Sequence, residues 1–162
     1  MSVKPGWSGP CKHDDLMTVM ETESRIPAEE LKRFQASLAR INAQDLFYEH
    51  FYERFFSESE EIHSFFHNRD IPSIIAKLRV TLMMVAEAAE GKPGLEMYLE
   101  MLGGIHRRLQ VEPRFFGHWR TALLDTVARY DPQYNDRIEA AWQRVIDHVI
   151  TSMQQNQSAN PS

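Results

Sequence analysis

An all-α fold of seven to eight helices of uneven length is what the sequence predicts, and three observations carry it. Apolar residues recur at helical spacing almost without interruption from residue 27 to residue 153. No stretch alternates apolar and polar residues between turn signals, and no Asn-Gly or Asp-Gly pair marks a hairpin. Pro27, Pro72, Pro93, Pro113 and Pro132 each stand before a helical pattern, where a first turn does not need the missing N–H. With 162 residues the chain has room for one core rather than two.

Residues 1–26 read as an N-terminal extension: a loose polar tail, then a short extra helix over 14–23 with Leu16, Val19 and Met20 on one side. Residues 27–153 form the domain. Within it, 27–41 carries Leu31, Phe34, Leu38 and Ile41, and 44–56 carries Phe47, Tyr48, Phe51, Tyr52, Phe55 and Phe56. A short turn or helix spans 60–66. The long apolar pattern over 72–89 carries Ile74, Ile75, Leu78, Leu82 and Val85, and Gly91-Lys92-Pro93-Gly94 breaks it. Three more helices follow over 95–108, 113–129 and 132–153. Residues 154–162 are polar and read as a disordered tail or a linker.

Apolar residues make up 43% and charged residues 25%, a globular balance. Eighteen Lys and Arg against 23 Asp and Glu give a formal charge of −5 without a basic block, which argues against nucleic acid as a partner. Cys11 is the one cysteine, so no intrachain disulfide and no Cys-rich zinc site can form. No run has membrane-spanning length and none resembles a signal peptide, so the cytoplasm is the simplest location. Nine Phe, five Tyr, three Trp and eight Met are a heavy load of large side chains for one small domain.

Seven histidines are the candidate ligands. His13 lies in the tail, His50 lies between Phe47 and Phe51 but off the main apolar stripe, and His118 and His148 have charged or polar neighbours, so all four are expected to face water. His63 and His67, four apart, could share a metal on a helix, but no HExxH pattern accompanies them. Glu60 and His63 form one Glu-x-x-His unit, and a di-iron bundle needs a second, which is missing. His106 differs: it lies on the apolar stripe of its helix, four after Leu102 and seven after Leu99. Gly103 and Gly104 precede it, each costing about 1 kcal/mol in a helix interior, so the pair predicts the close approach of something large and flat. A histidine among many aromatic and aliphatic groups can be the iron ligand of an enclosed macrocycle or a hydrogen-bonded core residue.

In order and separation these features resemble the bacterial haem globins, single-domain or sensor-type, over about residues 27–153. Phe51-Tyr52-Glu53-Arg54-Phe55-Phe56 followed by Glu61-Ile62-His63-Ser64-Phe65-Phe66 resembles the second globin helix running into the corner phenylalanine. By that resemblance Phe66 stacks on the haem and Tyr52 is the distal tyrosine. Ile74 takes the usual distal His or Gln position, Leu78 is the apolar residue one turn on, and Lys77 pairs with a haem propionate. Leu102-Gly103-Gly104-Ile105-His106 resembles the proximal helix, with His106 as the iron ligand and Leu102 beside it. Val111 and Phe116 belong to the segment that covers the haem edge.

The resemblance implies a globin fold around haem b, iron protoporphyrin IX, that reversibly binds O2 or another diatomic gas such as NO or CO, as carrier or sensor. The alternative it leaves open is a nitric oxide dioxygenase working with an external reductase. The proximal tyrosine–glutamate pair of oxygen-detoxifying members is missing, which weighs against that activity. A homodimer through the last two helices and a reductase or output domain are further partners that the resemblance suggests. A cofactor-free helical module is the third class.

Overall fold

A computed structural model describes residues 26–159. Among them are seven α-helices: α1 (Ala28–Asn42), α2 (Phe47–Phe56), α3 (Glu60–Phe66), α4 (Ile71–Ala88), α5 (Leu95–Arg108), α6 (Pro113–Tyr130) and α7 (Asp136–Ala159). The all-α expectation holds, and no strand occurs among the described residues. The helix expected over 14–23 and the last three residues lie outside the described part.

Local chemistry sets most of the boundaries. The Ser59 hydroxyl accepts from the Ile62 N–H at 3.1 Å and opens α3. Asp70 accepts from the Ser73 N–H at 3.3 Å, so α4 begins at Ile71 and takes Pro72 into its first turn. Gly94 leads into α5 with φ 109°, a left-handed conformation that a side chain would strain. Asn135 accepts from the Ile138 N–H at 2.9 Å, which moves the start of α7 past the expected Pro132. At its other end α7 runs to Ala159, through residues that read as the start of a polar tail. Its apolar stripe of Val145, Val149 and Met153 is buried and carries the helix that far along the domain before the polar residues begin.

Helices α5 and α7 are the most intimately packed pair, followed by α1 with α7 and α2 with α6. A Cβ on Gly103 would stand 2.6 Å from the Met153 carbonyl oxygen, so α5 and α7 approach at a distance only glycine allows. The flat object expected at the Gly103-Gly104 pair is therefore, at Gly103, the backbone of another helix. Gly104 has no such role: a Cβ there would meet only the Arg108 guanidinium, at 3.6 Å.

A buried polar cluster ties α1 to both ends of the α6–α7 connection. The Trp142 indole N–H donates to the Ser37 hydroxyl at 2.8 Å, and Ser37 donates to Asp131 at 2.5 Å. Arg40 donates twice to the same carboxylate, at 2.6 and 2.9 Å, and the Gln133 N–H adds a bond of 2.9 Å. Phe34 meets the Trp142 ring edge-on at 4.7 Å. Burial pushes the Asp131 carboxyl up, but the bonds from Arg40, Ser37 and Gln133 outweigh it and hold the group below its ordinary value of 3.8.

Two outcomes follow for stability. Gly103→Ala should lower the urea-unfolding free energy by about 1–3 kcal/mol through overpacking against α7, whereas Gly104→Ala should be neutral or raise it by up to about 1 kcal/mol. Equal effects from the two would contradict the Gly103 contact. Asp131→Asn should cost about 3 kcal/mol at neutral pH, because Arg40 and Ser37 lose a charged acceptor. Since the native carboxyl is depressed, its stabilisation is complete above the unfolded value and is lost as pH falls through the folded one. The gap between wild type and Asp131→Asn should thus begin to narrow only below about pH 4 and vanish below the depressed folded value, and a gap that stays constant as pH falls through that range would contradict the assignment.

Candidate functional site

The His106 side chain is positioned by its own helix. Its Nδ1 lies 2.7 Å from the Leu102 carbonyl oxygen one turn back. A carbonyl only accepts, so Nδ1 carries the proton, and a neutral ring keeps its lone pair on Nε2. Nε2 makes no hydrogen bond among the described residues. The ring is half-buried, and the buried Phe116 on α6 lies 5.7 Å away, tilted by 43°. Val111, half-buried in the link after α5, donates its N–H to the His106 carbonyl at 3.1 Å. The half-buried Leu102 packs against the core.

Tyr52 occupies α2 at 5% exposure, and its hydroxyl makes no hydrogen bond among the described residues. Burial first, and the nearby Tyr48 second, push its ionisation well above the ordinary 10.0, so the hydroxyl keeps its proton and remains a donor. From Tyr52 a run of ring contacts leads across the domain. Tyr52 meets Phe56 at 5.8 Å, Phe56 meets Phe66 at 5.1 Å, Phe66 meets Phe65 at 5.1 Å, and Phe65 meets Phe115 at 5.9 Å. Phe115 is the chain neighbour of Phe116, which touches His106. Phe65 and Phe115 are among the aromatic groups that the sequence offers around His106, and Phe56 joins them without having been assigned a site role. Their clustering in Phe55-Phe56, Phe65-Phe66 and Phe115-Phe116 was the available signal.

On α4, Ile74 is half-buried and Leu78 is 6% exposed, one turn apart on the face that meets the core. Lys77 is exposed beside them. The Tyr98 hydroxyl on α5 lies 3.3 Å from the Thr81 hydroxyl and links α4 to α5. Between α3 and the α5–α6 link an open groove of about 470 Å³ is lined by Glu60, Glu61, Ser64, Phe65, Gln110, Glu112 and Phe115. Arg114 pairs with Glu61 at 2.5 Å and Glu112 at 2.6 Å at the same place.

The other histidines separate from this site. His50, His118 and His148, expected to face water, are half-buried and paired with other helices or links instead. His50 bonds the Tyr130 hydroxyl, His118 lies 2.8 Å from Glu58, and His148 lies 2.7 Å from Glu96. Sequence spacing does not show such partners, because they come from distant segments. His63 and His67 are exposed with ring centroids 6.3 Å apart. Among the described residues no group of three or more His, Cys, Asp or Glu comes together to hold a metal ion. No described helix is long and apolar enough to cross a membrane.

A family model described as Globin matches residues 49–153. The chain is a globin. No curated protein sequence matches this globin. Among solved structures it is similar to a protein from Pseudomonas aeruginosa PAO1 that is described as structurally highly homologous to a human hemoglobin. The TM-score is 0.72 and the identity 27%, over 78% of this globin and 97% of that chain. Globins as a family bind haem and diatomic gases, and the residues here suit such a group. The His106 imidazole leaves Nε2 without a hydrogen bond among the described residues, the Tyr52 hydroxyl makes none there either, and aromatic and aliphatic side chains lie around them.

Proposed function

We propose that this globin holds haem b between α4 and α5 and reversibly binds O2 or another diatomic gas, as a carrier or a sensor. The observation that carries the reading is the tautomer of His106: Nδ1–H is committed to Leu102, and Nε2 is left as a ligand for iron. The haem, when bound, supplies an iron that takes the gas on its distal side. Everything else is the work of the chain.

His106 is held by a neutral carbonyl rather than a carboxylate, so nothing in that bond adds negative charge to the imidazole. This favours retention and release of a ligand over its activation, and supports gas binding ahead of nitric oxide dioxygenation. Phe66 stacks on one face of the ring system. Ile74 and Leu78 form an apolar ceiling that keeps water away, and Lys77 stands where a propionate can pair with it. Leu102, Val111 and Phe116 border the proximal side.

Tyr52 supplies the one strong donor on the distal side, since Ile74 has no polar group. Its hydroxyl stabilises a ligand with partial negative charge, which favours O2 over CO.

His106→Ala should abolish stable haem binding or leave haem that added imidazole restores. Wild-type Soret and visible bands in that variant without added ligand would remove His106 from the iron. Tyr52→Phe keeps the ring and removes the donor. O2 should dissociate about 10- to 150-fold faster, the equivalent of about 1.5–3 kcal/mol for a hydrogen bond to a partly charged acceptor. CO dissociation should change far less. Equal changes for both gases would show that Tyr52 is an ordinary core aromatic.

A further inference from the structure

Phe115 and Phe116 are neighbours on α6, equally buried at 6% exposure, yet they serve different parts of the molecule. Phe115 turns to Phe65 on α3 at 5.9 Å, edge to face. Phe116 turns to His106 at 5.7 Å, and among the described residues it is the one aromatic ring in contact with that imidazole. The hydrogen bond from Nδ1 to Leu102 fixes a single edge of the imidazole. The final torsion of a histidine is broad, so one edge bond leaves the ring free to rock about its Cβ–Cγ axis. A second contact, from a different helix and with the rings tilted by 43°, restricts that freedom.

Resting on the reading of His106 as the iron ligand, we propose that Phe116 is a positioning residue that fixes the plane of the His106 imidazole. The plane is thereby set by two elements at once, the α5 backbone through Leu102 and the α6 side chain through Phe116. Helix α6 is itself anchored to α2, where Trp119 meets Phe51 at 6.2 Å and Asp125 pairs with Arg54 at 2.9 Å. Since α2 also carries Tyr52, one scaffold orients both the proximal ring and the distal hydroxyl. Groups that orient a metal ligand tune the strength of its bond without touching the metal.

Phe116→Leu tests this, with Leu123→Ala as a partner that is likewise buried on α6 but lies about two turns beyond the contact with His106. In the reduced, ligand-free holoprotein, resonance Raman spectroscopy reads the iron–histidine stretching band directly. Phe116→Leu should shift and broaden that band, and Leu123→Ala should leave it at the wild-type position while also costing stability. In the haem-free protein, the ring N–H signal of His106 should exchange faster with solvent in Phe116→Leu than in Leu123→Ala. An unchanged band and unchanged exchange in Phe116→Leu, or equal changes in both variants, would overturn the proposal while leaving His106 on the iron. A wild-type protein with no iron–histidine band would overturn the reading of His106 as ligand, and this proposal with it.

Discussion

Where the backbone of Met153 passes residue 103 there is no room for a side chain, and that closeness fixes the position of α5. The helix that carries His106 cannot shift along or away from α7 without opening a gap at its tightest point. Helix α7 is held in turn by Trp142, which reaches through Ser37 to the Asp131 carboxylate and so to Arg40. The His106 imidazole therefore hangs from a chain of contacts that begins in the buried charge cluster between α1 and the α6–α7 turn. Burial of so much polarity is tolerable because every member of the cluster has a partner.

Two polar atoms stand out against the apolar interior. Nε2 of His106 and the hydroxyl of Tyr52 have no hydrogen bonds among the described residues and so keep free hydrogen-bonding capacity. One belongs to α5 and the other to α2, and a wall of aromatic rings extends between their neighbourhoods. Polar atoms with free hydrogen-bonding capacity on helices lined by aromatic rings suit a flat, apolar group with a metal at its centre. The family to which the chain belongs binds such a group, and the chemistry of these side chains agrees with it.

Much of the fold was legible because its punctuation is local. Proline, glycine and polar caps mark helix ends through bonds made within four residues, and the expected bounds of α3 and α5 coincide with those observed. Deviations arose where a cap overrode proline, as Asn135 does at α7, and where α7 continues past Met153 through polar residues. The site was less legible. His106 could be singled out by its place on an apolar stripe, but its glycine pair suggested the wrong neighbour, since sequence shows that space is needed without showing what fills it. The pairing of His50, His118 and His148 was invisible for a related reason: each partner lies at least 52 positions away in the chain.

The visible absorption spectrum of the purified protein, reduced and then exposed to O2, tests the central claim most directly. The account predicts a Soret band in the ferrous protein typical of a single histidine ligand, a change to an oxygenated spectrum on exposure, and full reversal when O2 is removed. A protein that shows no Soret band after haem is supplied, or whose ferrous spectrum does not respond to O2, would contradict it.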